Sequence, residues 1–370
     1  MELSLPSSDY LDPLVFKREI ECIFSREWVA VCRAEEVLNP GDWRVVDLVG
    51  ESVLVVRGKS GKLTAFYNVC RHRGARLCAP ADQALKPGRA PLPPSVLPNG
   101  NIRCPYHAWT YDSDGALIGA PFLTEEPEFR REDFSLYPVG CETWGGFVFL
   151  HRTPKEAAPL TSQMAPVQHR LANYPLEDLR IGHRIRYEVD ANWKILCENY
   201  NECYHCGPVH PELCRIVPAF RMKGGAGLNW EDGVPHREGA YTFTWSGTTK
   251  RAPFKGLSEA EKVRHKGELS YPNLFLSMAC DHVAAFILHP KSAGRTEIDC
   301  LFLFAQEELA HSDFDHSDTS EFWDVTNQQD WSICERVQQG IASSAHFQGY
   351  YAPMEDMNLD MRRYVRERMK

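Results

Sequence analysis

The chain has 370 residues, of which 43% are hydrophobic and 25% are charged, an ordinary globular composition that at this length indicates roughly two domains. The formal net charge of -9 at pH 7 gives no positive field, so neither nucleic acid nor an anionic membrane surface is an expected partner. Because the N-terminus lacks a signal pattern and no stretch is long and apolar enough to span a bilayer, we expect a cytoplasmic protein.

The first 40 residues predict a helical segment that packs on the C-terminal domain. Between residues 13 and 28, apolar side chains recur at helical spacing, with charged side chains on the other face. Residues 41–154 then show short β-branched runs separated by turn residues, a pattern that predicts an all-β domain. Within this domain, a proline-rich stretch at about residues 79–101 predicts an irregular surface excursion.

Residues 155–370 have a mixed pattern. Strand-like runs such as IGHRIRYEV and VAAFILHP alternate with helical stretches near residues 193–205 and 322–342. This alternation predicts an α+β domain. The sequence has no phosphate-binding glycine-rich loop, so the chain is not expected to bind a nucleotide itself.

Two short motifs in the predicted all-β domain each combine a cysteine with a histidine. Cys70 and His72 form a C-x-H pair, and Cys104 and His107 form a C-x-x-H pair, each after a predicted strand. Structural zinc sites usually combine C-x-x-C with H-x-x-x-H, and neither spacing is present here. A Rieske-type 2Fe-2S cluster takes two thiolates on one iron and two imidazoles on the other. The motifs therefore favour such a cluster, with structural zinc as the alternative.

A second set of candidate ligands begins on a predicted helix. This helix starts at Asn192, a good N-cap, and is expected to run until the Gly-Pro breaker at residues 207–208. Glu198, Glu202 and His205 would then share one face of the helix, because they are four and three positions apart.

His210 lies just past the breaker, where the chain can turn back towards His205. Two imidazoles and a carboxylate are the donor set of oxygen-activating non-haem Fe(II) sites. Asp330 is the candidate carboxylate, since it aligns with Cys334 and Val337 on the apolar stripe of a predicted helix. Burying a carboxylate costs on the order of several kcal/mol unless it is paired or metal-bound. Taken singly, each residue could equally be a capping histidine or a surface aspartate.

Together these motifs resemble the α subunits of Rieske non-haem iron oxygenases. The resemblance rests on NVCRHRGA, CPYHAWTYDSDG, ENYNECYHCGPVHP and QDWSICERVQQGI, and so covers nearly the whole chain. The gap between the two cluster motifs is longer than is usual in the family, which places an insertion in the proline-rich stretch. Glu202 and the sequence YHCGP at residues 204–208 are similar to the corresponding segment of the carnitine, choline and glycine betaine oxygenase branch. The resemblance implies an all-β Rieske domain followed by an α+β catalytic domain with an antiparallel sheet of helix-grip type.

The resemblance also implies two iron centres and their ligands. The cluster ligands would be Cys70, His72, Cys104 and His107, and the ligands of a mononuclear Fe(II) would be His205, His210 and Asp330. Glu202 would bridge a cluster histidine of one subunit to an iron histidine of its neighbour in a homotrimer. O2 would be the co-substrate, with electrons coming from NAD(P)H through a separate flavin- and ferredoxin-type reductase.

The branch resemblance implies a small quaternary ammonium substrate that is hydroxylated, demethylated or cleaved, by monooxygenation or dioxygenation. Aromatic rings bind such cations, and aromatic side chains in strands are also common in cores. The candidate rings are those of Tyr200, Tyr204, Trp230, Tyr241, Phe243 and Trp245. One alternative is a ring-hydroxylating oxygenase for an aromatic acid, and another is a Rieske electron carrier without oxygenase activity. A carrier would need only about the first third of the chain.

Overall fold

The computed structural model describes residues 2–79, 95–97, 100–123 and 128–370. It has two compact units, one comprising Phe24–Leu160 and the other comprising Met1–Ile23 with Thr161–Lys370. Most of the proline-rich stretch predicted as a surface excursion lies outside the described residues. Across the described ranges, no helix combines the length and the apolar character needed to cross a membrane.

The first unit is built from antiparallel strands. In chain order they are β1 (Val29–Arg33), β2 (Trp43–Leu48), β3 (Glu51–Arg57), β4 (Leu63–Tyr67), β5 (Ile102–Arg103), β6 (Thr110–Tyr111), β7 (Leu117–Gly119), β8 (Pro138–Trp144) and β9 (Phe147–His151). One sheet has the order β1-β9-β8-β4-β3-β2, and β5, β6 and β7 form a small separate sheet. A single buried cluster between them contains Cys70, Cys104, Trp109 and Tyr111. The two cysteine motifs are therefore anchored in the core of this unit.

The start of the first unit differs from the predicted boundary at residue 40. All five residues of β1 are buried, and Val29 pairs with Leu150 of β9, so this strand belongs to the all-β unit. The helix predicted for residues 13–28 is also shorter. It ends in one wide π-helical turn, Ile20–Phe24, which buries Ile23 and Phe24 completely. The chain therefore leaves the helix early in order to enter the sheet.

The second unit combines helices with one antiparallel sheet, which confirms the predicted α+β class. Its helices are α1 (Ser7–Leu11), α2 (Pro13–Glu19), α3 (Leu160–Arg170), α4 (Trp193–Tyr200), α5 (Cys206–Val209), α6 (Pro211–Ile216), α7 (Gln306–Leu309), α8 (Ser317–Ile341) and α9 (Asp356–Arg368). Its strands are β10 (Arg180–Val189), β11 (Val234–Pro235), β12 (Arg264–Ser270), β13 (Leu274–Met278), β14 (His282–Ser292) and β15 (Arg295–Phe304). The strand order is β10-β15-β14-β13-β12-β11.

The long helix α8 lies against this sheet through aromatic and polar side chains. Phe286 of β14 lies 6.3 Å from Trp323 and 6.4 Å from Trp331, measured between ring centroids. Tyr187 of β10 donates a hydrogen bond from its hydroxyl to Asp324 at 2.7 Å. The sheet face that carries Tyr187 and Phe286 is therefore the face covered by α8.

Helix α4 is held by a polar network that is closed to solvent. Its N-cap, Asn192, accepts the backbone N–H of Lys194 at 3.0 Å. The Lys194 ammonium lies 2.5 Å from the Glu19 carboxylate, and both side chains are fully buried. The Trp193 indole N–H donates to the same carboxylate at 2.9 Å. The N-terminal helices are thus joined to α4 by a buried ion pair.

A second carboxylate on α4 ties the two ends of the second unit together. Glu198 accepts hydrogen bonds from the hydroxyls of Tyr10 and Tyr351, each at 2.6 Å. Tyr10 belongs to α1, and Tyr351 lies just before α9. Burial raises the pKa of Glu198, and the two hydroxyl donors offset part of the cost of burying the charged form.

The buried ion pair predicts a large effect for one substitution. Glu19→Gln leaves the Lys194 ammonium buried without its counter-charge, so we expect the free energy of unfolding to fall by about 3–5 kcal/mol. Urea unfolding measures this change. Glu21→Gln, on the exposed side of the same segment, is the control and should change stability by less than about 0.5 kcal/mol. The double variant Glu19→Gln/Lys194→Met should recover most of the loss, and an unaltered midpoint in Glu19→Gln would contradict the expectation.

Candidate metal centres

The two cysteine motifs of the first unit form loops with matching backbone geometry. In each loop the cysteine N–H donates to the carbonyl five residues later, at 2.8 Å for both Cys70 and Cys104. In each, the N–H four residues later returns a hydrogen bond to the cysteine carbonyl, at 3.0 Å and 3.1 Å. Gly74 and Ala108 occupy this fourth position with φ of 72° and 58°. A left-handed alanine costs about 1 kcal/mol, so the loop around Cys104 keeps a conformation that its own sequence disfavours.

The four predicted ligands of these loops divide by exposure. Cys70 and Cys104 are buried, each 3% exposed, whereas His72 and His107 are exposed and their ring centroids lie 4.8 Å apart. Two inner thiols and two outer imidazoles match the unequal needs of the two irons of a Rieske cluster. The Tyr111 hydroxyl lies 3.3 Å from the Cys70 sulfur, where it can donate to a thiolate ligand and raise the reduction potential.

In the second unit, helix α4 ends earlier than predicted. Its last residue is Tyr200, seven positions before Gly207. The Glu202 carboxylate accepts the backbone N–H groups of Tyr204 and His205, the latter at 3.2 Å, and this local bonding competes with continuation of the helix. The prediction that Glu198 shares one helical face with Glu202 and His205 is therefore wrong. Glu202 and His205 meet instead through the turn between α4 and α5.

Three side chains from separate parts of the second unit converge at one point. His205 precedes α5, His210 precedes α6, and Asp330 lies on α8. The Asp330 Oδ1 atom is 3.2 Å from His205 Nε2 and 2.9 Å from His210 Nε2. One ligand atom from each of the three residues lies within 4.8 Å of the other two. The structure therefore brings together the three residues that the sequence suggested as an iron site.

The hydrogen bonds at the Nδ1 atoms of His205 and His210 determine what can bind between the two rings. His205 Nδ1 lies 2.6 Å from a Glu202 oxygen, and His210 Nδ1 lies 2.8 Å from the Gln329 Oε1 atom. Both Nδ1 atoms must carry the proton, so in neutral rings both Nε2 atoms present lone pairs to the Asp330 carboxylate. Three such acceptors around one point require a cation, and Fe(II) accepts this donor set with coordination positions left open.

Without a metal ion, a protonated His205 supplies the positive charge beside Asp330. Burial lowers the pKa of His205, but the hydrogen bonds to Asp330 and Glu202 outweigh it and raise that pKa to about 11. For Asp330 burial raises the pKa, and the neighbouring His210 and His205 more than reverse this, so the carboxyl pKa lies well below its usual range. Asp330 therefore keeps its negative charge, which either a protonated His205 or a metal ion can balance.

The amide behind His210 belongs to Gln329, to which no motif in the sequence points. Gln329 directly precedes Asp330, and neither its residue type nor its position matches a ligand pattern. Its contact depends on how α8 lies against the turn before α6, which no local spacing reveals. Asn199, to which no motif points either, has its amide nitrogen 3.3 Å from His205 Nε2.

Some of the predicted aromatic residues lie together beside β12. A Cβ built on Gly267 would lie 3.6 Å from the Tyr200 hydroxyl and 3.4 Å from the Trp230 ring. The same position is 3.5 Å from the Nε2 atom of His265. Phe243 is fully buried and packs edge-on against His265, with ring centroids 4.8 Å apart. Three of these rings lie beside the glycine and Phe243 packs against His265, and we refer to the four as the aromatic wall.

The other predicted aromatic residues take no part in this wall. Tyr204 and Trp245 are 51% and 48% exposed. Tyr241 donates its hydroxyl hydrogen to the Thr249 carbonyl at 2.6 Å. Their roles are therefore unlike those of Tyr200 and Trp230.

The aromatic wall borders a row of small side chains across the sheet. Gly267 pairs with Ser277 of β13, and Ser277 pairs with Ala284 of β14. Ala284 lies on the same face as Phe286, which contacts Trp331 of α8. The row therefore lies on the covered face of the sheet, where a side chain at Gly267 would contact Tyr200 and Trp230.

Comparison with known proteins gives consistent matches along the chain. Residues 176–370 match the family described as "Ring hydroxylating alpha subunit (catalytic domain)", and residues 27–130 match "Rieske [2Fe-2S] domain". The chain is 28% identical to the glycine betaine monooxygenase oxygenase subunit of Pseudomonas aeruginosa, over 94% of this chain and 85% of that protein. It is also 28% identical to the carnitine monooxygenase oxygenase subunit of Acinetobacter pittii, over 93% and 86%.

The fold also matches a solved structure. The quaternary ammonium Rieske monooxygenase CntA in complex with γ-butyrobetaine superposes with a TM-score of 0.76 at 26% sequence identity. The match covers 100% of this chain and 96% of that chain. This chain therefore shares its fold with that protein.

The separation of the two centres gives a testable expectation. His205→Ala should lower the iron content from about three to about two per chain, with acid-labile sulfide unchanged at about two, because His205 lies outside the cluster unit. Metal analysis and the visible absorbance of the cluster measure both centres in one sample. His311→Ala, at an exposed histidine, is the control. Loss of the cluster absorbance in His205→Ala would contradict the division into two sites.

Proposed function

Because the chain belongs to the family of ring-hydroxylating α subunits, we propose that it is the terminal oxygenase of a Rieske-type system acting on a small quaternary ammonium compound. Members of this family carry a Rieske 2Fe-2S cluster and a mononuclear iron, and use O2 with electrons from a separate reductase. The observation that carries the proposal is the pair of imidazole lone pairs facing Asp330 in the second unit. An electron carrier would need only the first unit, so the matched catalytic domain argues against that alternative.

The proposal assigns the ligands of the two centres. The cluster ligands are Cys70, His72, Cys104 and His107, and the iron ligands are His205, His210 and Asp330. Support comes from the matched cysteine loops and from the three converging acceptors. When bound, the iron supplies the oxygen-activating redox chemistry. The protein side chains hold the donor atoms in place, with Glu202 behind His205 and Gln329 behind His210.

The proposed substrate is a cation with N-methyl groups, which is hydroxylated and demethylated or cleaved at a C–N bond. The relatives named for glycine betaine and carnitine support this class, as does CntA with its bound γ-butyrobetaine. The aromatic wall offers the rings of Tyr200 and Trp230 for cation–π contact. Burial lowers the pKa of His265 to about 3, so this ring is neutral at physiological pH and does not repel a cation. The small residues Gly267, Ser277 and Ala284 border this wall.

We propose a trimer in which Glu202 connects the two centres of neighbouring subunits. Its carboxylate holds His205 Nδ1 at 2.6 Å. It also lines a surface cleft of about 510 Å³, together with Tyr204, Arg221 and Gly224. A carboxylate in this position can accept an N–H from His205 and another from a partner that enters the cleft. The cleft therefore gives a docking partner access to a residue that touches an iron ligand.

The bridge predicts a kinetic defect without loss of metal. Glu202→Gln removes the charge but keeps the size of the side chain, and should slow reoxidation of the reduced cluster by O2 and substrate roughly tenfold or more. Stopped-flow absorbance of the cluster measures the rate, and metal analysis should find both centres filled. Glu259→Gln, at a side chain that is 90% exposed, is the control. A reoxidation rate equal to that of the unaltered protein would remove the bridge.

The substrate class is tested by O2 uptake with a purified reductase. Glycine betaine, carnitine, choline and γ-butyrobetaine should stimulate uptake, and 3,3-dimethylbutanol, which has the shape of choline without its charge, should not. Each cation–π contact contributes roughly 0.5–2 kcal/mol, equivalent to a factor of about 2–30 in affinity for each ring. Equal stimulation by the uncharged analogue, or stimulation by benzoate alone, would overturn the proposed class.

A further inference from the structure

One imidazole of the proposed iron site is held between two consecutive residues of α8. Asp330 faces the Nε2 atom of His210 at 2.9 Å, and Gln329 faces the Nδ1 atom of the same ring at 2.8 Å. His210 is almost completely buried, with 1% of its side chain exposed. The orientation of this ring therefore depends on α8 at both of its nitrogen atoms.

The amide of Gln329 is itself held by an acidic residue. Its Nε2 atom donates to the Glu212 carboxylate at 3.2 Å. Glu212 lies in the first turn of α6, two positions after His210. Amide oxygen and nitrogen atoms have nearly the same shape, so hydrogen-bond partners must decide which way an amide points. A carboxylate can only accept, so Glu212 fixes the amide nitrogen on its own side.

This choice determines the tautomer of His210. With its nitrogen on Glu212, the amide presents Oε1 to the imidazole, and Nδ1 must therefore carry the proton. The Nε2 atom is left with its lone pair directed at Asp330, which is the form that a metal ligand needs. We propose that Glu212 and Gln329 are positioning residues that together fix His210 in its metal-binding tautomer and orientation. This inference rests on the proposed function.

The two iron histidines then have unequal partners. His205 donates to the Glu202 carboxylate at 2.6 Å, whereas His210 donates to a neutral amide. With Asp330, Glu202 supplies the second negative charge near a doubly charged cation. A carboxylate at position 329 would add a third negative charge, and it would face the carboxylate of Glu212. Glutamine at this position therefore supplies an acceptor without a further buried charge.

The test measures Fe(II) affinity by chelator competition on the purified, cluster-containing protein. Gln329→Leu removes the acceptor behind His210 and should weaken Fe(II) binding about 10–100-fold. Gln329→Glu should also weaken it, because two carboxylates then face each other. Gln328→Leu is the matched control, since this neighbouring glutamine is exposed and its side-chain amide donates to Asp324, away from the proposed iron site. The cluster absorbance shows in each case that the chain has folded.

The exchange variant Gln329→Glu/Glu212→Gln separates positioning from general damage. It restores one acceptor for His210 and one amide donor to hold that acceptor, so Fe(II) affinity should return to within a few-fold of the unaltered protein. Failure of the exchange to improve on Gln329→Glu, or unchanged affinity in Gln329→Leu, would overturn the inference. If the unaltered protein binds no iron beyond its cluster, the proposed function itself is wrong. The two failures are thus distinguishable.

Discussion

The arrangement of the second unit depends on one constraint, a carboxylate facing two imidazole lone pairs inside the protein. Asp330 can occupy this position only if α8 lies across the sheet and the turns before α5 and α6 reach its side chain. Three acceptors in a low-dielectric environment repel one another unless a cation or protons lie between them. A metal ion relieves the repulsion among these three acceptors, and this relief is the origin of the affinity of the site for metal.

The surrounding structure resists this repulsion by fixing each donor from behind. Glu202 holds His205, and the N–H groups that Glu202 accepts shape the turn in which both residues lie. Helix α4, which leads into that turn, is tied to the N-terminal segment through Glu19 and Lys194. Glu198 ties the same helix to both ends of the unit. The terminal segments thus contribute to the site although none of their residues is a proposed ligand.

Sequence predicted the cluster loops best, because ligand type and spacing within one short loop largely determine their chemistry. The sequence also pointed to His205, His210 and Asp330, which the structure brings together, but the helical face that carries Asp330 differs from the predicted one. The apolar stripe was extended towards Val337, which is 42% exposed, whereas the buried face of α8 runs back through Trp323 and Phe322. The end of α4 could not be predicted, since the Glu202 side chain replaces helical hydrogen bonds there. The contacts of Gln329 could not be predicted either, because its hydrogen-bond partners, His210 and Glu212, are distant in the sequence.

The row of small side chains on β12, β13 and β14 has a consequence for how specificity can change. Side chains on loops can move aside when a neighbour grows, but paired strands cannot, since their hydrogen bonds fix the backbone. A methyl group added at Gly267 would therefore lie in contact with Tyr200 and Trp230, at 3.6 Å and 3.4 Å. Under the proposed function, single-methyl changes on this rigid row would alter the size of substrate that fits, without any change at the proposed metal ligands.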